Sequence, residues 1–413
     1  MGVFIAFELR KQSKDNSIEK EITVSGSLMI KEYVPLVQAV KLGGFDIVKI
    51  LLSHNKIDPN LYETYYDTAD NANYIRKTVS LYDAIRNENI EIIKLLLGHP
   101  KINVNAICSR KKIKKDSENE EEEQENNSVV KVYNETPLCY TIRRIKTHKK
   151  EIVQLLLDNS NININIESSL NSLLKNKKRT ALHIAIEKKD KEMVRMLLER
   201  PEIDLNIKYD VTKSSNQHFK LTPLQTAIYY GNREMITLLL SYEQIDVNQK
   251  GIFYENGEKH TCSALDFAIY FKKKKIVQIL LKHPKIIVND ISFIVEGKDG
   301  RETRSEYTPF QNAVFYSNED IVALLLSYDK INVNQSGFFC GNGTKIEYDA
   351  LTSSILAGNL KITEILLTSP RIDINKFITI HNISFYTQKL NALHFAILNN
   401  KGEALPLLIS QPN

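Results

Sequence analysis

TPLQTAIYYGNREMITLLLSYEQIDVN, residues 222–248, reads as two short helices and a stop. Thr222 can accept a first-turn backbone N–H, and Pro223 at the first helical position sacrifices no hydrogen bond. Leu224, Ala227 and Ile228 fall on one helical face. Gly231-Asn232 breaks that helix and turns the chain. Met235, Ile236, Leu239 and Leu240 then line the apolar face of a second helix, and Ile245-Asp246-Val247-Asn248 continues neither.

The phrase recurs. Its Leu-x-x-small-apolar core starts at Leu36, Leu81, Leu138, Leu182, Leu224, Leu265, Phe310, Leu351 and Leu393, nine copies in all. The closing apolar-x-apolar-Asn ends at Asn60, Asn105, Asn165, Asn206, Asn248, Asn289, Asn334 and Asn375, and the ninth copy reaches Asn413 without it. One copy buries too little apolar surface to offset the entropy of ordering its own chain. Stacked copies share faces and bury a continuous core, so the repetition predicts a solenoid.

Three copies show the signature most clearly: Thr180-Ala181-Leu182-His183-Ile184-Ala185, Asn391-Ala392-Leu393-His394-Phe395-Ala396 and Thr308-Pro309-Phe310. With the Gly-Asn turn, the Leu-Leu-rich second helix and the closing Asp-Val-Asn, the chain resembles the ankyrin-repeat family over residues 33–413. It departs from the family in carrying a longer closing phrase, such as His99 to Asn105. Its period is 41 to 57 residues, against about 33 in the family. In both respects it looks like the expanded ankyrin families of protozoan parasites. The resemblance implies a mainly α solenoid of about nine helix-turn-helix units joined by extended β-hairpin fingers.

The fingers are partly legible. Gly251 to Lys259 and Gly337 to Lys345 each carry Asn-Gly at the tip, the pair suited to a type I′ turn. Asp299-Gly300 does the same, and Phe377 to Tyr386 alternates around His381-Asn382. Neighbouring fingers could pair edge to edge into a sheet beside the helices. Earlier connections read differently. Residues 61–78 are tyrosine-rich, and a basic run, Arg110 to Lys115, precedes an acidic one within a segment expected to be a mobile charged loop at about 109–131. Residues 1–32 contain no clear copy and read as a leader or degenerate cap, ahead of the array at 33–413.

Composition narrows the function. The chain has 413 residues, 42% hydrophobic and 25% charged, with a net charge of +5. That is a globular balance with no run long enough to cross a membrane, and so weak a charge does not demand a nucleic-acid partner. Cys108, Cys139, Cys262 and Cys340 form no CxxC pair, the usage of a reducing compartment, so a cytoplasmic protein is expected, with a nuclear one as alternative. Met1 to Glu8 lacks the basic flank of a secretory signal, and Ala6 stands where a Gly2 myristoylation signal has Ser or Thr.

No phosphate loop, metal motif or nucleophile elbow is present. No enzyme, cofactor or metal is expected. His183 and His394 sit where the family's imidazole bonds loop backbone, and His54, His99 and His283 sit at the C-terminal turns of second helices, where a cation suits the helix dipole. The small residues Ala39, Ala84, Ala185, Ala227, Ala268, Ala313 and Ala396, with Thr141 and Ser354, let paired helices approach. The closing asparagines bond turn backbone.

Function is then expected on the variable surface, as a monomeric protein-interaction scaffold. The family resemblance points to the concave side, made of fingers and first helices, and to the aromatic residues Tyr229, Tyr230, Phe253, Tyr254, Phe338, Phe339, Phe385 and Tyr386 as partner contacts. The competing reading is that these rings pack finger on finger. The alternative function is a nuclear or nucleic-acid-associated regulator steered by Arg110–Lys115 and Lys272–Lys275.

Overall fold

The computed structural model describes residues 18–24, 27–67, 73–113, 129–172, 175–214, 217–255, 257–297, 303–341, 343–381 and 387–411. Two compact units divide the chain, one of Met1–Asp204 with Tyr209–Thr212 and the other of Leu205–Lys208 with Lys213–Asn413. No helix among the described residues is long and apolar enough to cross a membrane.

Each unit repeats one motif: a helix, a tight turn, a second helix and a β-hairpin. In the first unit the helix pairs are Pro35–Lys41 with Phe45–Leu52, Ser80–Arg86 with Ile90–Leu97, Pro137–Arg144 with Lys149–Leu157, and Ala181–Glu187 with Lys191–Leu198. The second unit opens with Pro223–Tyr229 and Arg233–Leu240, followed by Ala264–Tyr270 with Lys274–Leu281, Pro309–Phe315 with Glu319–Leu326, and Ala350–Leu356 with Leu360–Leu367. It ends with Ala392–Leu398, a 3₁₀ turn and Leu405–Ile409.

Local chemistry sets these boundaries. Thr222 and Thr308 accept the N–H of Gln225 and Gln311, whose amides reach back to the cap N–H in two capping boxes. Asn89, Asp190, Asn232, Asn318 and Asn359 cap second helices by accepting a first-turn backbone N–H alone. The turn between helices needs one left-handed residue. Gly43, Gly231 and Gly358 supply it, but Glu88, Lys189, Lys272, Ser317 and Asn400 adopt it as well, at φ of 51–58°. The expected small positions are all buried, from Ala39 to Ala396. Leu393 departs from its eight counterparts at 36% exposed, because no further copy covers that face among the described residues.

Eighteen strands alternate with eighteen helices among the described residues, so the expectation of a mainly α chain is too narrow. Hairpins follow early helix pairs as well as late ones, at Glu63–Asp67 with Asn73–Thr78 and at Ser168–Ser172 with Lys175–Arg179. Both ends of the expected charged loop are strands, Cys108–Ile113 paired with Val129–Glu135; residues 114–128 lie outside the described residues. The reason is that a ladder needs backbone partners rather than apolar side chains, and the neighbouring finger offers one. The expected leader holds a further antiparallel hairpin, Ile18–Val24 with Ser27–Tyr33.

Fingers do pair edge to edge within each unit. Arg76 faces Arg110, and Tyr133 faces Leu170, across finger boundaries in the first unit. In the second, Phe253 faces Phe219, His260 faces Ile294, Ser305 faces Phe339, and Ile346 faces Ile380. Gly257 and Gly343 have φ of 88° and 72°, as Asn-Gly tips require; Asn256, Asn342, Asp299, Gly300 and Asn382 lie outside the described residues.

The closing asparagines do more than turn their own chain. In the first unit Asn60 Nδ2 donates to the Lys101 carbonyl at 2.7 Å while its Oδ1 accepts the Asn103 N–H at 2.7 Å, in the next copy. Asn105 repeats this on Asn161 and Asn163, and Asn165 on Glu202 and Asp204. In the second unit Asn206 clasps Gln244 and Asp246, Asn248 clasps Lys285 and Ile287, Asn289 clasps Lys330 and Asn332, and Asn334 clasps Arg371 and Asp373. Two net hydrogen bonds of this kind stabilise by about 1–3 kcal/mol. Asn248→Ala is therefore expected to lower unfolding stability by about 1–2 kcal/mol in a urea titration, with Asn248→Asp also destabilised because it loses the donor to Lys285.

Candidate functional site

Side chains alternate between the two faces of each finger. In the second unit one row, Phe219, Phe253, His260, Ile294, Ser305, Phe339, Ile346 and Ile380, shares a face through the strand registers. Phe253 identifies it as the face turned to the helices, since its ring lies 5.6 Å from Phe267 and 4.8 Å from Tyr270.

This face is built from rings on both sides. Tyr229 meets Phe219 at 5.5 Å, Tyr270 meets Tyr316 at 4.7 Å, and Phe315 meets Tyr307 at 5.6 Å. Tyr229-Tyr230, Tyr270-Phe271 and Phe315-Tyr316 occupy the same place at the end of three successive first helices. That place is Leu356 and Leu398 in the next two copies. Phe315, Leu356 and Leu398 are 47%, 49% and 65% exposed. The signal was in the sequence but required the copies to be aligned beyond their cores.

The expected contact residues do not form one set. Tyr229, Tyr230 and Phe339 belong to the helix-facing side. Tyr254 and Phe338, being adjacent to inward residues, point outward: Tyr254 stacks on His218 at 5.4 Å, and Lys345 lies 4.1 Å over the Phe338 ring. Phe253 is fully buried, stacked on His260 at 4.3 Å, so it is a packing residue and not a contact. Phe385 and Tyr386 lie outside the described residues.

Under this face sit the polar groups that fix finger to helix. Gln225 Nε2 donates to the Cys262 carbonyl at 2.9 Å, and Gln311 Nε2 to that of Tyr348 at 2.6 Å. A Cβ on Gly251 would come 2.1 Å from Gln225 Oε1, so the glycine opening that finger makes room for the glutamine. In the intervening copy Asp266 is buried and accepts from Ser263 at 2.8 Å, Ser292 at 2.6 Å and Asn312 at 2.7 Å. Burial raises its pKa and these bonds oppose the rise. The adjoining cavity is about 10 Å³, room for one water at most.

The histidines take structural roles. His183 Nδ1 pairs with Thr180 Oγ1 at 2.8 Å and His394 Nδ1 with Asn391 Oδ1 at 2.5 Å, so each ring bonds its cap side chain. His54, His99 and His283 each accept a backbone N–H at Nδ1, from Lys56, Lys101 and Lys285. Lys274 of the basic run pairs with Asp320 at 2.9 Å. All four cysteines are free thiols.

Residues 113–210 and 204–292 match a family model described as ankyrin repeats in three copies. This chain carries ankyrin repeats. Among solved structures, the ankyrin repeat domain of Bcl-3, described as a unique member of the IkappaB protein family, is similar at 17% identity. The match covers 60% of this chain and 83% of that one, with a TM-score of 0.37. No curated protein matches. Ankyrin repeats generally mediate protein–protein interaction.

His260 offers a pH test of this packing. Burial lowers its pKa to about 4, although Glu258 Oε2 stands 3.2 Å from Nε2. A depressed histidine pKa contributes stability that is complete above the unfolded value, about 6.5, and is lost as pH falls toward 4. Melting at pH 7 and pH 4.5 is expected to show a loss in the intact ankyrin array that is smaller in His260→Phe.

Proposed function

We propose that this ankyrin-repeat protein is a non-enzymatic scaffold that binds a protein partner on the finger and first-helix surface of its second unit. The observation that carries this is the exposed apolar row of Phe315, Leu356 and Leu398, repeated at one position of successive first helices. Isolated exposed apolar residues are ordinary, but a row continued along an array is the kind of surface an interface covers. Tyr229, Tyr230 and Phe339 flank it and supply aromatic contacts. We read the array as nine copies over residues 33–413, acting as a monomer in the cytoplasm, a location that four free thiols support.

The nucleic-acid reading gains nothing from Lys272 to Lys275, since Lys274 is paired and Lys272 serves the helix–helix turn. Affinity capture from native lysate is the test, with the intact chain beside a Phe315→Ser, Leu356→Ser double variant that melts normally. One set of proteins held by the intact chain and lost from the variant is the expected result. Equal capture by both would contradict this surface, and capture of nothing by either would contradict the scaffold reading.

A further inference from the structure

The first unit presents a different inner face. Strand registers place Tyr65, Arg76, Arg110, Tyr133, Leu170 and Lys177 in one row. Tyr65 receives a hydrogen bond from Arg86, and Lys177 reaches Glu187 at 3.2 Å, so this row also faces the first helices. There it meets Arg143 and Arg144, at the end of Pro137–Arg144. Arg110 lies 4.4 Å and Arg143 5.3 Å over the Tyr133 ring. Burial first, and then the Arg143 and Arg110 guanidiniums, lower the pKa of Arg144.

We propose that this inner face of the first unit is a docking surface for an acidic peptide segment, with Arg110 and Arg144 receiving its carboxylates. The inward positions carry Arg76, Arg110, Arg143 and Arg144 as well as Lys112, Lys131 and Lys177, while Lys77, Lys111 and Lys178 point outward. A guanidinium matches a carboxylate with a planar fork and stacks on tyrosine, which an ammonium does not. Glu135, held by Arg143, already shows the geometry from within the chain. Such resident carboxylates, with Glu63 and Asp83 beside Lys41 and Arg86, oppose a continuous phosphate backbone but leave room for a few discrete acidic side chains.

The experiment is fluorescence anisotropy of a labelled oligoglutamate peptide with the full chain, beside a single-stranded oligonucleotide of equal charge. Arg110→Ser and Arg144→Ser are the variants, and Lys178→Ser, on the outer face, is the control. Expected are peptide binding that weakens with salt, a loss of about tenfold in each arginine variant, and no loss in the control. Arg144 is exposed, so its variant keeps the fold and decides the matter if Arg110→Ser melts early. Absence of peptide binding at low salt, equal loss in Lys178→Ser, or tighter binding of the oligonucleotide would overturn the proposal. The Phe315→Ser, Leu356→Ser protein is expected to bind the peptide normally, which separates this surface from that of the second unit.

Discussion

An asparagine amide that spans from one copy to the next sets the geometry of each unit. The side chain carries an NH2 donor group and a carbonyl acceptor on one planar amide, so it mimics a peptide unit and closes two backbone bonds at once. The partners lie from 37 to 58 residues away, yet the pair of bonds is the same each time. Loop length therefore varies without disturbing the stack. The Asp or Asn two residues earlier contributes by accepting the clasping residue's own N–H, as Asp246 does for Asn248 and Asn332 for Asn334.

With copies held in register, the connection between them is free to lengthen into a hairpin. Adjacent hairpins then stand close enough to pair, and the fingers become a second layer rather than separate loops. Attachment to the helices is made by a changing polar group at one position: Gln225, Asp266 and Gln311 in successive copies. Because strand side chains alternate, the layer offers each unit an inward face of its own chemistry. Rings and leucines line it in the second unit, and arginines with tyrosines line it in the first.

Much of the fold was legible. The helix pairs, their caps, the buried small residues and the Asn-Gly fingers follow from spacing and turn chemistry visible in a single copy. The hairpins at Glu63–Thr78, Cys108–Glu135 and Ser168–Arg179 were not, because their strands are charged or polar and are held by backbone pairing to neighbours. The candidate site was legible only in kind. Phe253 and Phe339 share a face, but Phe253 is buried with its ring 4.8 Å from Tyr270 and Phe339 is half-buried, a difference no strand pattern shows. Arg76 and Arg110 are 34 positions apart in sequence and adjacent only across a finger boundary, so no local pattern could join Arg110 to Arg144.

The central claim is that the asparagine clasp holds each copy to the next. Hydrogen exchange read at single amides tests it most directly, at Asn103 and Asn163 in the first unit and at Asp246, Ile287, Asn332 and Asp373 in the second. These N–H groups lie in exposed turns, and each donates to a neighbouring copy's asparagine. The account predicts slow exchange that tracks the unfolding of the unit, lost at Ile287 in Asn248→Ala. Exchange at the rate of an unstructured peptide would contradict it.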